Sequence, residues 1–399
     1  MVNMERIPNG YCSTEAGILP TDWRVKRLSE VATRLTEQAG QDQYETVSIS
    51  AGIGFVNQAE KFGKELSGKQ YEKYIVLHRS DFSYNKGNSK TSPQGCIYRL
   101  NDRATAAVPN VFESFRIDGQ DANYYEQLFL DGFLNKQLYS KINRGVRDDG
   151  LLNLTGKDFY SCMVPVPPID EQKKIAEILA QCDKVIELKE KCLEEEKKKK
   201  QWLVKTIFES QDSKRWQEHP FKDVCTFVNG RAYKQDELLT SGKYPVLRVG
   251  NLFTKSEWYY SDLELTGEKY IDNGDLIYAW SASFGPQIWT GGKVIYHYHI
   301  WKVVPSKAID KDYLYQYFMY DVNLLAKEQQ GGTMSHITKE AMERRMCRYP
   351  CLSKQKQIAK ILYMSDQKTS LLDEELTAWR MKKKSLMQLL LTGIVRVKP

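Results

Sequence analysis

Two stretches of the chain repeat one spacing of apolar and polar side chains. Positions 175, 179, 182, 186, 189, 193, 196, 200, 203 and 207 hold Ile, Leu, Cys, Ile, Lys, Leu, Glu, Lys, Leu and Ile, in steps of four and three. The same steps 183 residues later give Ile358, Leu362, Ser365, Thr369, Leu372, Leu376, Trp379, Lys383, Leu386 and Leu390. Such an interval lays one stripe along a helix, here with polar interruptions. Neither Gly nor Pro occurs from Asp170 to Phe208 or from Leu352 to Thr392, and Lys, Glu, Gln and Leu dominate both stretches, as long helices require. The pattern predicts two helices of about 39 residues, each on the order of 58 Å long at 1.5 Å per residue. Pro165, Pro167 and Pro168 mark the start of the first, and Pro350 that of the second. A helix this long with a single stripe needs a partner. The other copy supplies one, with Ile175, Leu179, Ile186, Leu193 and Leu203 in one seam and Ile358, Leu362, Leu372, Leu376 and Leu386 in the other.

The helices belong to a larger internal repeat. Glu171-Gln-Lys-Lys-Ile-Ala-Glu-Ile-Leu179 matches Lys354-Gln-Lys-Gln-Ile-Ala-Lys-Ile-Leu362 at six of nine positions. Upstream, Trp23 pairs with Trp216, Val31 with Val224, Glu72-Lys-Tyr-Ile75 with Glu268-Lys-Tyr-Ile271, and Asp81-x-x-Tyr84 with Asp275-x-x-Tyr278. The offset drifts from 193 to 183 between Trp23/Trp216 and Ile175/Ile358, as a net deletion of ten residues in surface loops would produce. Before each helix, short β-rich runs alternate with Gly/Asn/Ser turns; Lys73 to Leu77, Asp275 to Trp280 and Lys293 to Val304 read as strands. The expected fold is α+β: two globular mixed α/β domains in tandem, each followed by a long helix. The expected division is an N-terminal segment 1–22, a first domain 23–168, a first helix 169–209, a second domain 210–350, and a second helix with a C-terminal tail over 351–399.

Composition narrows the class. A chain of 399 residues that is 41% hydrophobic and 12% aromatic has material for two or three cores, which excludes a disordered chain. No apolar run reaches membrane-span length, and Met1 to Tyr11 lacks a signal-peptide stretch, so a cytoplasmic protein without membrane association is expected. The eight cysteines form no C-x-x-C pair and point to neither a disulfide framework nor a zinc ribbon. The net charge of +7 lies almost wholly in residues 353–399, which hold ten basic and four acidic side chains. A nucleic-acid surface on either domain must therefore be a local face.

A search for catalytic motifs returns little. Gly68-Lys69 and Gly292-Lys293 are followed by Gln and Val, so no Walker-type phosphate loop is present. Ala51-Gly-Ile-Gly-Phe55 lacks the third glycine of a dinucleotide loop and reads as a turn. No Asn-Pro-Pro-aromatic or Asp-Pro-Pro-aromatic run of an amino-methyltransferase occurs. His297 and His299 would share one strand face but lack a third metal ligand, and strand packing or a polar contact is the favoured reading. Glu187-x-Lys189 lies inside the helix pattern, and Glu194 to Lys200 reads as a solvated face with i,i+4 pairs. No catalytic residue and no metal site is assigned.

What remains is basic and amide side chains interleaved with aromatics in turn-rich segments. In the first domain these are Tyr84, Asn85, Lys86, Asn88, Ser89 and Lys90, with Arg144 and Arg147 downstream. In the second they are Arg231, Tyr233, Lys234, Arg248, Trp280, Ser281, Ser283 and Phe284, with Gln329-Gln330 nearby. Lys and Arg can hold phosphates or guanine edges, and Asn can pair with adenine. Ordinary core is the competing reading for Trp280, Phe284 and Trp289. The two copies keep their flanks and change the contents between, as two related but different recognition sites would.

The order of variable domain then long helix, twice over, resembles the specificity subunit of type I restriction-modification systems. The helix entry Pro167-Pro-Ile-Asp-Glu-Gln-Lys-Lys-Ile-Ala-Glu-Ile-Leu179, its version at Pro350 to Leu362, and Gly274-Asp-Leu-Ile-Tyr-Ala-Trp-Ser-Ala-Ser-Phe-Gly285 carry the resemblance. The second entry departs from the pattern, with Cys351 where a Pro is usual and Lys354 opposite Glu171. The resemblance implies that each domain is a target recognition domain reading one half of a bipartite site on double-stranded DNA. It implies that the helices pack as an antiparallel coiled coil and hold the domains apart. Two copies of a methyltransferase subunit would dock on the repeat, bringing S-adenosylmethionine for adenine N6 methylation. Restriction/translocase subunits would join through them with ATP and Mg. This chain would bind no cofactor and catalyse nothing itself. A methylation-only system and a non-DNA coiled-coil scaffold are the alternatives.

Overall fold

The computed structural model describes residues 7–63, 68–87, 92–142, 152–253, 256–281, 285–328 and 337–397. The chain forms two compact units. One contains Met1–Glu190 with Glu375–Pro399, the other Lys191–Glu374. Each unit thus holds one globular domain, the half of one long helix that leaves it, and the half of the other that returns to it.

Each domain contains its own four-stranded antiparallel sheet of one strand order. In the first unit its strands are ordered Ala32–Arg34, Glu113–Ile117, Phe82–Asn85, Cys96–Arg99; in the second they are ordered Cys225–Asn229, Ile300–Pro305, Leu276–Ala279, Gly285–Ile288. Corresponding strands occupy corresponding places, so the weak sequence repeat is a repeat of topology. Asp81-x-x-Tyr84 and Asp275-x-x-Tyr278 open the equivalent strand in each sheet. Asp81, fully buried, takes a bidentate ion pair from Arg116, at 2.7 and 3.0 Å, and a bond from the His78 amide. Asp275 accepts from Lys302 at 2.6 Å and from the Asp272 amide. Tyr84 and Tyr278 are both fully buried. The repeated motif therefore builds the sheet in each copy.

Differences appear at the second sheet. In the second unit Tyr259–Ser261, Tyr244–Leu247, Val294–Tyr296 and Tyr270–Ile271 make four strands, with a parallel pair at Val246 and Ile295. In the first unit the same region is two separate antiparallel pairs, Val47–Ser50 with Gly54–Asn57 and Ile75–His78 with Thr105–Val108, joined by a parallel bridge from Thr46 to Ala107. The run Lys293 to Val304, expected as one strand, is two strands separated by a turn at residues 297–299. Residues 1–22 also do more than precede a domain: Tyr11–Thr14 and Gly17–Pro20 form a hairpin, and Tyr11 donates to the Gly393 carbonyl at 2.8 Å.

Each domain is closed by a strand pair that leads into a long helix: Arg24–Arg27 with Met163–Val166, and Gln217–Pro220 with Met346–Tyr349. The helices run Ile169–Phe208 and Leu352–Leu390. Prolines before each start forbid extension of the helix backwards. One repeated glutamine anchors each entry. Gln172 donates to the Pro167 carbonyl and accepts from the Asp121 amide; Gln355 donates to the Pro350 carbonyl and accepts from the Asp310 amide. Both glutamines are fully buried, so the contacts join helix entry to domain where water cannot compete.

All twenty positions of the four-three pattern are buried or half-buried. Within each unit the two helix segments run antiparallel, as the cross-helix pairs show. Lys383 donates to Asp183 at 2.5 Å and Lys189 to Glu375 at 2.6 Å in the first unit. Lys368 donates to Glu196 at 2.5 Å, and Lys200 to Asp366, in the second. The charged interruptions of the stripe, Lys189, Glu196, Lys200 and Lys383, are thus held in cross-helix ion pairs. Helix ends also complete the domain cores: Ile175, Leu179, Leu390 and Leu391 pack with Trp23, Leu28 and Phe129, while Phe208, Ile358 and Leu362 pack with Phe221, Tyr313 and Tyr317.

Candidate nucleic-acid interface

In the first domain the strand Phe82–Asn85 sets the geometry. Tyr84 is not a surface group: its ring stacks on Phe159 at 4.7 Å and its hydroxyl donates to the Gln94 carbonyl at 2.7 Å. Burial pushes its hydroxyl well above the usual phenol range. The sequence expectation for Tyr84 is corrected accordingly, since strand alternation turns this side chain into the core. Asn85 is spent on local structure, donating to the Ile49 carbonyl and accepting from the Gly87 amide. Lys86 lies 2.9 Å from the buried carboxylate of Glu113, which Arg34 also approaches at 3.3 Å. A buried carboxylate without its cation would be strongly unfavourable, so Lys86 is committed inside the domain. Asn88, Ser89, Lys90, Arg144 and Arg147 lie outside the described residues. Among the described residues nearby, the Leu152 amide donates to the Lys86 carbonyl at 3.0 Å.

The second domain gathers its candidates around the end of the sheet. Arg231 makes a bidentate pair with Glu237, at 2.9 and 2.7 Å, and its guanidinium lies 5.3 Å from the Tyr233 ring centroid. Those bonds and the Lys234 amide hold the Glu237 carboxyl down at about 2. Lys234 itself is exposed. Arg248 lies over the Tyr259 ring at 5.2 Å and has no carboxylate partner among the described residues. Trp280 stacks on Trp301 at 5.8 Å and donates its indole N–H to the Tyr298 carbonyl at 2.7 Å. It is half-buried, so it is both part of the packing and part of the surface. Ser281 is half-buried beside it; Ser283, Phe284, Gln329 and Gln330 lie outside the described residues. The Ile337 amide donates to the Trp280 carbonyl.

Sequence reasoning did not place His297, Tyr298 and His299 among the contact residues, favouring strand packing or a polar contact for the histidines. They form the turn between two sheet strands and adjoin Trp280 and Tyr233, with His299 4.9 Å from the Trp280 ring and His297 6.5 Å from that of Tyr233. Burial, reinforced by the neighbouring His299 and Arg248 charges, lowers the His297 imidazole to about 4. Burial and Arg248 lower His299 as well. A run of aromatic and imidazole side chains at the end of a predicted strand was the available signal. The arrangement offers planar rings, two neutral imidazoles and one unneutralised guanidinium, which suits contact with nucleic-acid bases and backbone. Among the described residues no cluster of His, Cys, Asp and Glu can hold a metal ion, and no helix is long and apolar enough to cross a membrane.

Comparison with known proteins gives the same family twice along the chain. The family model for the type I restriction modification DNA specificity domain matches residues 20–197 and again 213–378. The type I restriction enzyme MjaVIII specificity subunit of Methanocaldococcus jannaschii is 25% identical over 313 residues, covering 69% of this chain and 70% of its own. The type I restriction-modification S subunit from M. genitalium superposes with a TM-score of 0.59 at 12% identity, over 97% of this chain and 98% of that one. A chain from a study of assembly and conformational transition in a type I restriction-modification system gives 0.58 at 15% identity, over 94% and 99%. With both halves matched and the tandem fold shared, the chain belongs to the family of type I restriction-modification DNA specificity proteins.

Proposed function

We propose that this chain is the DNA sequence-recognition subunit of a type I restriction-modification enzyme, with each globular domain reading one half of an asymmetric bipartite site. The observation that carries this reading is one sheet order built twice with different side chains at its end, in a chain of this family. A common scaffold with unlike surfaces suits two half-sites of unlike sequence. Half-sites on one face of B-DNA lie about one helical turn, ~34 Å, apart. Helices of 40 and 39 residues are long enough to fix such a spacing.

The same helices are the surfaces on which two copies of a methyltransferase subunit dock, and restriction/translocase subunits join through those. Outside the seam the helices expose Leu188, Trp202, Tyr363, Met364, Leu371 and Met381. Large apolar groups in the open on otherwise charged helices suit a protein partner. A repeat within one chain gives two identical partners two similar seats. In this reading S-adenosylmethionine belongs to the methyltransferase and ATP with Mg to the restriction subunit, while this chain reads and positions without catalysing. The test is a genome-wide map of N6-methyladenine in the source cell with and without this gene. Loss of one split, asymmetric motif is expected; an unchanged map in a cell that methylates such motifs would overturn the reading.

A further inference from the structure

The turn His297-Tyr298-His299 is held by backbone on several sides. The His297 amide donates to the Leu247 carbonyl at 2.9 Å, the Tyr298 amide to Arg231 at 3.1 Å, and the His299 carbonyl accepts from the Trp280 amide at 3.1 Å. Gly230 runs so close that a Cβ there would lie 2.4 Å from the carbonyl oxygens of Tyr296 and His297. A fixed backbone therefore presents three adjoining rings, with centroids 4.3 Å apart for His297 and Tyr298, 4.1 Å for Tyr298 and His299, and 4.8 Å for the two imidazoles. Tyr298 is exposed and both histidines are half-exposed.

These groups do little for the fold. Among the described residues the one hydrogen bond to either imidazole is a 3.4 Å contact from the His299 amide to His297 Nδ1. Nearby Arg231 is neutralised by Glu237, whereas Arg248 has no carboxylate among the described residues. A neutral imidazole carries one donor and one acceptor, the mixed pattern that base edges require. A guanidinium matches O6 and N7 of guanine in the major groove. Phosphates, by contrast, are served by cations.

We propose that His297, Tyr298, His299 and Arg248 determine specificity for the half-site of the second domain, reading base edges there, with Arg248 at a guanine. The proposal rests on the DNA-recognition reading above and deepens it by naming the residues.

The test is the N6-methyladenine map of cells supplying all subunits, with this chain wild-type, H297A/H299A, or R248A. The wild-type map judges the DNA-recognition reading by itself, since absence of any split motif dependent on the chain would end that reading before the variants matter. Given such a motif, each variant is expected to relax one half, losing roughly tenfold discrimination at one or more base pairs, while the other half stays strict. For R248A the relaxed position is a G·C pair. Both halves unchanged in both variants would overturn the proposal. Should methylation vanish, the assembled complex carrying H297Q/H299Q is titrated with the wild-type duplex and with one altered in a single half. Loss of discrimination for one half alone supports the proposal; discrimination kept in both overturns it.

Discussion

Asp183 accepts a 2.5 Å hydrogen bond from Lys383, across the two long helices of the first unit. The counterparts of these residues 183 positions away, Asp366 and Lys200, pair with each other across the helices of the second unit. Acid and base exchange helices between the two bridges. Each acid is also gripped by a glutamine of its own domain, Gln127 and Gln316, at 3.0 Å. A single sequence signal, Asp at one offset and Lys at another, thus makes one junction of helix, helix and domain twice.

Replacing Asp183 by Ala leaves the largely buried ammonium of Lys383 without its acid. The expected cost is about 1–2 kcal/mol, above the ordinary surface ion pair because Lys383 is poorly hydrated. Urea unfolding followed at the helix signal measures it. The exchange D183K/K383D should recover part of the loss; a double variant no better than D183A would show that the pair is not what Asp183 contributes.

Leu179 and Leu362 are repeat equivalents and both are fully buried where a helix entry meets its domain core. Leu→Ala at either site should cost about 2–5 kcal/mol through lost burial and the cavity left behind. Leu188→Ala, at an exposed helix position, should leave stability within about 0.5 kcal/mol while weakening capture of the methyltransferase subunit. Thermal unfolding and co-purification separate the two effects.

Lys86 is the closer and better-buried of two cations facing buried Glu113, the other being the more exposed Arg34. K86M should therefore lower the melting temperature, and K86M/E113Q should restore much of it by removing the poorly compensated charge. If Lys86 served a phosphate instead, K86M would reduce the salt dependence of DNA binding by about one counterion and leave melting unchanged.

His297, lowered to about 4 chiefly by burial, stays neutral in the folded chain far below the ordinary imidazole range. Between that value and about 6.5 the unfolded state binds the proton and the folded state does not, so stability falls as pH drops through this window. H297Q removes the difference. Its unfolding free energy should decline less between pH 7 and 5 than that of the wild type, measured by urea titration at each pH. Parallel declines would show that His297 titrates normally.

The helices and the tandem order were legible because their signals are periodic and long. A four-three stripe free of Gly and Pro over some forty residues admits one local structure, and its faithful copy at an offset of 183 marks a repeat. Tyr84 shows where the reading failed. Its neighbours Asn85 and Lys86 gave the segment the composition of a contact loop, yet a single strand residue points to either face, and only the sheet decides which.

The sequence by itself determined that there are two copies of one α+β unit with helices that must pair, because periodicity and self-similarity are carried by order along the chain. Tertiary structure decided which polar groups are spent internally and which stay available. Lys86 meets Glu113 from 27 residues away and Arg231 is claimed by Glu237, while Arg248, His297 and His299 are left at the end of a sheet. Availability depends on burial and on which side chains the fold brings together, and neither is written in the residue types alone.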